Sequence, residues 1–275
     1  MFKRTYLITT IFIMASVTLP ADYELGRNND PRTVDDIKPF KLFLKKARWE
    51  ILSTPGMRFM ANLYFPESTI INLEVENAVA FTIDDGFCGI DNPSGDMTSE
   101  VLDLFDKYNA KATFFTTGSH CKHTKKEDIL RLLDKGHEIA NHGMYDTPYS
   151  DFTKEDFEKD FNQTDQILRQ YTNDIPKWYR APHASLSKTM QEVIDQKGYT
   201  HVVCDGFAND TSIPDPRWIS NFILRKIKDG SIILIHMPER GIREWNLEAM
   251  ELTLKGLKEK GYDIVTFSNL YELSK

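Results

Sequence analysis

Acids, imidazoles and one guanidinium stand in this sequence at the ends of successive short apolar runs: Asp84 and Asp85, then His120, His142, Arg180, Asp205 and His236. The first run, Ala78–Ile83, stops abruptly on Asp84-Asp85-Gly86, the pattern of a buried strand whose carboxyl end carries chemistry. Two adjacent carboxylates repel each other unless a cation lies between them or they are given separate tasks. Asp-Asp-Gly is also ordinary turn chemistry after a strand, so this stretch alone leaves both readings open. One histidine at a strand end is usually structural. Acids, imidazoles and a guanidinium at five or six successive strand ends are the raw material of acid–base catalysis and cation binding.

Those side chains need a frame that brings strand ends together. After the first strand, Thr98–Tyr108 carries apolar residues at helical spacing (Val101, Leu102, Leu104, Phe105), and the alternation continues. Strand Lys111–Thr117, helix Lys126–Lys135, strand His137–Asn141, helix Lys154–Tyr171, strand Trp178–Arg180 and helix Ser187–Lys197 follow. Strand His201–Cys204, helix Pro216–Lys228, strand Ser231–His236, helix Asn246–Lys260, strand Asp263–Phe267 and a helix from Asn269 complete the series. Strands alternating with helices through short loops predict an α/β fold with a parallel sheet. Six or seven such units predict a closed or nearly closed β/α barrel, whose strand carboxyl ends share one rim. Gly136, Gly198 and Gly261 follow predicted helices, where a glycine C-cap belongs.

The chain has 275 residues, within the range of a single large domain. Met1–Ala21 reads as a secretory signal: Lys3 and Arg4 precede the apolar run Tyr6–Leu19, and the run is short for an uncleaved membrane anchor. Without it the balance is 32 basic against 41 acidic residues, or −9, which argues against a nucleic-acid partner. No later segment is long and apolar enough to span a bilayer, so no stable membrane span is expected after cleavage. Residues 22–77 read as an N-terminal extension, polar up to residue 36 and helical over much of Ile37–Tyr64, with a stop near Pro55-Gly56. The three cysteines are Cys88, Cys121 and Cys204. Cys88 and Cys121 follow neighbouring strand ends, so in an exported protein a Cys88–Cys121 disulfide is expected, with Cys204 a buried free thiol.

Taken together, the strand-end residues resemble the polysaccharide deacetylase family (NodB-homology domain, carbohydrate esterase family 4). The family's T-F-D-D-G motif appears as Thr82-Ile83-Asp84-Asp85-Gly86, and its H-[S/T]-x-x-H motif as His142-Gly143-Met144-Tyr145-Asp146. Its R-x-P-aromatic motif appears as Arg180-Ala181-Pro182-His183, its Asp-based motif as Asp205–Asp210, and its L-x-[I/L]-H motif as Leu234-Ile235-His236. The resemblance runs from about Val79 to Leu273. It implies a distorted (β/α) barrel of about seven units over residues 78–275, following the N-terminal extension. It also implies a divalent metal, zinc first with cobalt or nickel as alternatives, and removal of acetyl groups from a polymer of N-acetylated sugars. An amide carbonyl is a poor electrophile, so its hydrolysis calls for a Lewis acid and an activated water. By the resemblance Asp85 and His142 are metal ligands, Asp84 is the base oriented by Arg180, and the Phe87 N–H faces the oxyanion. His236 protonates the leaving amine, with Asp205 holding its imidazolium.

Three positions depart from the family pattern. Asp146 replaces the second motif histidine, one helical turn beyond His142; it either ligates the metal or is a turn residue before Thr147-Pro148. His183 replaces an aromatic residue that lines the acetyl pocket, and Phe87 replaces a proline. His120 and His123, flanking Cys121, read as surface-loop residues, and His137 and His201, opening strands, as structural. Trp245 and Tyr149 lie in rim loops, where they stack on sugar or pack. The expected protein is a secreted or cell-wall-associated enzyme, periplasmic in a Gram-negative cell. It removes N-acetyl groups from chitin-like N-acetylglucosamine polymers. The alternatives are an O-acetyl xylan esterase and a silent carbohydrate-binding relative.

Overall fold

The computed structural model describes residues 39–275 except 54, 55, 90 and 93. The expected signal segment and the polar start of the extension lie outside the described residues. Two helices come first, α1 (Pro39–Leu52) and α2 (Met57–Tyr64), divided near Gly56. The alternating unit begins with β1 (Ala78–Asp84), α3 (Thr98–Lys107), β2 (Ala112–Thr116), α4 (Gly118–His123), α5 (Lys126–Asp134) and β3 (Glu138–Asn141). It continues with α6 (Lys154–Leu168), β4 (Trp178–Tyr179), α7 (Lys188–Gln196), β5 (Thr200–His201), β6 (Gly206–Phe207) and α8 (Pro216–Lys226). It ends with β7 (Ile232–Leu234), α9 (Trp245–Glu259), β8 (Asp263–Val265) and α10 (Phe267–Leu273).

All described strand pairs are parallel, in the order β5-β4-β3-β2-β1-β7-β6, with β8 also paired to the start of β1. β5 and β6 belong to one stretch of chain, 200–207, yet lie at opposite ends of that path. The sheet therefore curls until a single segment spans its two edges, as the expected barrel of β/α units requires. Residues of the extension cover this seam. Ile70 N–H donates to the His201 carbonyl and Val203 N–H to the Ile70 carbonyl, both at 2.9 Å, while Leu73 N–H donates to Gly230. The backbone groups that an open sheet edge would expose are thereby satisfied.

The central strand shows how sequence period places the chemistry. Along β1, Val79, Phe81 and Ile83 join the cluster packed under the helices, with Phe105 and Phe114, whereas Ala78 and Ala80 belong to the inner cluster with Phe115, Ala140 and Val202. Successive strand side chains alternate between faces, so Thr82 and Asp84 continue the inner series and point into the barrel. Both faces are buried, which is why the run is apolar apart from Thr82 until it reaches the rim. Caps hold the returning helices: Thr153, Asp215 and Thr266 each accept a hydrogen bond from the backbone N–H three residues on. Gly136 and Gly198 take φ of +80° and +68°, as their positions after helices predict.

The expected Cys88–Cys121 disulfide is overturned, while Cys204 is unpaired as expected but only half-buried. Cys88 and Cys121 are free, as is Cys204. Cys88 turns toward the segment after β7, with its sulfur 3.5 Å from Glu239 Oε2. Cys121 is buried on α4, 3.5 Å from Thr116 Oγ1. β1 lies between β7 and β2, so the two thiols fall on opposite sides of it; adjacency of the strand ends did not carry over to the loops.

Candidate active site

The strand ends deliver their polar residues to one rim. Asp84 is the last residue of β1, His142 follows β3, Arg180 follows β4 and His236 lies just past β7. Backbone bonds continue the ladders through them: His142 N–H donates to Thr116 (3.1 Å), Arg180 N–H to Asn141 (3.1 Å) and Met237 N–H to Asp84 (2.9 Å). Asp84, Asp85, His142, Arg180 and Asp210 are all buried.

Arg180 is the organiser on one side. Nη1 donates to Asp84 Oδ1 at 2.6 Å and to Thr82 Oγ1 at 2.8 Å, Nε donates to the Val202 carbonyl, and the guanidinium lies 4.0 Å from the Phe115 ring centroid. A planar guanidinium held at so many points fixes the carboxylate it pairs with. Asp84 Oδ2 is left facing His142 Nε2 across 3.8 Å, and Asp85 Oδ1 faces the same nitrogen at 3.8 Å. His142 Nδ1 donates to the Arg180 carbonyl at 2.8 Å, which fixes the ring's tautomer and leaves the Nε2 lone pair aimed at the two carboxylates.

Asp85 Oδ2 pairs with Arg243 Nη1 at 2.8 Å. Burial alone would raise the Asp85 carboxyl; Arg243 first, then His236, His142 and His120, outweigh it and hold the group well below the usual carboxylate range. Asp146 Oδ1 pairs with His183 Nε2 at 3.1 Å. Burial and the Asp85 charge push Asp146 up, but His183 prevails and its carboxyl is lowered. Across the rim, His236 Nδ1 donates to Asp210 Oδ1 at 3.0 Å, and Asp210 also accepts from the His236 N–H (2.8 Å) and from Asn246 Nδ2 (2.6 Å). Burial works against the imidazolium, yet Asp210 and then Asp85 outweigh it and push His236 up to about 9.

The donor set suits a divalent cation in part. Two ligand atoms of one tetrahedral zinc lie roughly 3.3 Å apart, and Asp85 Oδ1 and His142 Nε2 are 3.8 Å apart. Among the described residues, no three His, Cys, Asp or Glu side chains converge as a ready-made metal cage. The carboxylate of Asp146, still within electrostatic reach of Asp85 and His142, is turned onto His183. The residues fit a cation held by Asp85 and His142, with Asp146 as the remaining donor of the right kind.

The family model for polysaccharide deacetylase matches residues 74–202, from before β1 to the end of β5. Residues 74–202 belong to the polysaccharide deacetylase family. It is 32% identical to a bifunctional xylanase/deacetylase of Pseudobutyrivibrio xylanivorans over 74% of this chain and 32% of that protein. It is 28% identical to the peptidoglycan-N-acetylglucosamine deacetylase PgdA of Listeria monocytogenes serotype 1/2a (strain 10403S) over 85% of this chain and 47% of that one. The chain thus spans about a third to a half of the length of these curated relatives. In fold it is similar to the Bc1960 peptidoglycan N-acetylglucosamine deacetylase, with a TM-score of 0.68 at 22% identity, covering 76% of this chain and 98% of that one.

Within this polysaccharide deacetylase fold, Asp205 does not hold His236; that expectation is corrected. Asp205 accepts from Arg58 Nε at 2.5 Å, Ser231 Oγ at 2.9 Å and the Ile232 N–H at 2.8 Å, and burial, opposed chiefly by Arg58, raises its carboxyl. The reason is register. Sequence reading ended the strand at Cys204, but pairing with β7 occurs at Gly206–Phe207, so Asp205 enters that strand from below and Asp210 lies beyond its carboxyl end. Replacing Asp205 by Ala should therefore act on stability. It removes a buried partner of Arg58 and of two further donors, a loss of about 3 kcal/mol, read as a lower denaturant midpoint with the pH behaviour of His236 unchanged.

His120 also differs from expectation. His120 lies on α4, with Nδ1 3.3 Å from the carbonyls of both Asp85 and Gly86, so it borders the site and is no loop residue. Tyr149 is fully buried, its hydroxyl accepting from the Tyr145 N–H, and Trp245 donates to the Asp210 carbonyl; both pack. Phe87 is buried against Phe114 with φ +76°, and among the described residues its N–H meets no backbone carbonyl. His137 and His201 are buried and bonded to backbone or Thr69, as structural residues should be. Arg243 and Arg58 carried no sequence signal, because neither follows a strand at the spacing of the other site residues.

Proposed function

We infer that this protein hydrolyses N-acetyl groups on an N-acetylglucosamine-containing glycan, chitin-like or peptidoglycan, with the aid of a divalent cation, zinc first. The observation that carries the reading is the meeting of three units on one rim: Asp84 with Arg180, Asp85 with His142, and His236 with Asp210. The activities for which the relatives are named, on peptidoglycan and in a xylanase/deacetylase, support a carbohydrate substrate. Asp85, His142 and Asp146 would hold the cation, which when bound supplies Lewis-acid polarisation of the acetyl carbonyl and acidifies water.

The chain's own residues supply the proton transfers and the orientation. Asp84 keeps Oδ2 free while Arg180 holds Oδ1, so Oδ2 takes the proton of the attacking water. The Phe87 N–H faces the oxygen that becomes anionic. His236, carrying its proton at neutral pH, gives it from Nε2 to the departing amine while Asp210 holds Nδ1. The signal pattern of Met1–Ala21 supports action outside the cytoplasm, where wall glycans lie.

Acetate release from chitooligosaccharides, peptidoglycan glycan strands and acetylated xylan tests this reading. Release from the N-acetylated polymers is expected, lost on chelation and restored by zinc. Acetate from xylan alone would favour the O-acetyl esterase reading, which the xylanase/deacetylase relative supports. No acetate from any polymer, with metal bound, would leave a silent carbohydrate-binding protein.

A further inference from the structure

Three carboxylates meet at this rim, and each has one oxygen committed to a different side chain. Arg180 Nη1 holds Asp84 Oδ1 at 2.6 Å, Arg243 Nη1 holds Asp85 Oδ2 at 2.8 Å, and His183 Nε2 holds Asp146 Oδ1 at 3.1 Å. The second oxygens of Asp84 and Asp85 remain turned to His142 Nε2. Arg180 belongs to a family motif, whereas Arg243 comes from the loop between β7 and α9. That loop is built to deliver it: Arg243 has φ +56°, its carbonyl accepts from the Asn246 N–H at 2.8 Å, and its side chain is 3% exposed. Asp85 is itself left-handed, at φ +54°. Two non-glycine residues in this sparsely populated region, joined by one buried ion pair, mark a contact that the surrounding structure over-determines.

The geometry points to Arg243 as a positioning residue that makes Asp85 a one-oxygen donor and offsets the extra negative charge of Asp146, thereby setting which cation the centre prefers. This rests on the metal-dependent reading above. With a carboxylate in place of an imidazole at residue 146, the centre carries one more negative charge than a two-histidine site. An Asp85 left unopposed beside Asp84 and Asp146 would attract hard, oxygen-seeking ions, and calcium in particular uses both oxygens of a carboxylate. A guanidinium at Asp85 Oδ2 removes one unit of that charge at every working pH and closes two-oxygen chelation by Asp85. What remains suits a small ion bound through Asp85 Oδ1 and His142 Nε2.

Calorimetric titration of chelator-stripped protein with zinc and with calcium, without substrate, tests this. The parent should bind zinc and discriminate against calcium. Arg243→Gln, with Arg243→Met should the first unfold, should bind calcium at least about tenfold more tightly and lose zinc-over-calcium preference. Arg243→Lys keeps the charge and should stay within about threefold of the parent for both ions, since charge is the larger effect. A neutral variant that folds by circular dichroism and binds both ions with parental affinity would overturn the role of Arg243 and leave the metal reading intact. A lysine variant behaving like the glutamine one would also overturn it. A parent that binds no zinc would overturn both.

Discussion

Replacing Asp84 by Asn is expected to cut acetate release by about a thousandfold or more while leaving the bound cation in place. The amide oxygen can still accept from Arg180 Nη1, so the clamp that now fixes Oδ1 at 2.6 Å survives in part. The other position, which faces His142 Nε2 across 3.8 Å, then presents a neutral group unable to take a proton from water. On the proposed reading, metal ligation rests on Asp85 and His142 and should persist. Metal content by mass spectrometry and acetate release on the same preparation check the outcome. Loss of the cation together with the activity would show Asp84 to be a ligand rather than the base.

The second large effect is expected at His236 and its partner. His236→Ala should slow hydrolysis of an N-acetyl substrate by about 10²–10⁴-fold and an aryl acetate far less, because a phenolate leaves without a proton. Asp210 holds the proton on His236 and pushes it up to about 9, so kcat/KM of the parent should fall as pH rises past that value. In Asp210→Asn the carboxylate is gone, and the falling limb should move toward neutral pH. The pairing also contributes to stability. The folded value lies above the unfolded one of about 6.5, so this contribution is complete below the unfolded value and lost as pH rises through about 9. Equal losses on amide and aryl ester in His236→Ala would remove the histidine from the proton-donor role. An unmoved limb in Asp210→Asn would do the same for Asp210.

Much of the frame was legible because burial writes itself into the sequence. Ala78–Ile83 is apolar except for Thr82 since helices cover one side of β1 and the inner cluster the other, and the run ends where the rim begins. Asp84, His142, Arg180 and His236 were readable for the same reason: each is a charged or titratable group at the carboxyl end of a buried strand. Where pairing begins two residues later than the apolar run suggests, the rule fails, and Asp205 was taken for Asp210 although both lie in the same short segment. Side chains delivered by loops were not legible. Arg243 reaches Asp85 through a left-handed turn, and Arg58 reaches Asp205 from a helix far away along the chain. The cysteine pairing failed similarly, because neighbouring strands fixed where two loops start but not which way each turns.

The measurement that bears most directly on the central claim is a paired count of acetate and new primary amine after zinc-loaded protein meets an N-acetylglucosamine oligomer. Amide hydrolysis predicts the two products in equal amounts, rising together, abolished by chelation and by Asp84→Asn. Zinc bound at Asp85 and His142 with neither product formed, or acetate appearing without amine, would contradict it.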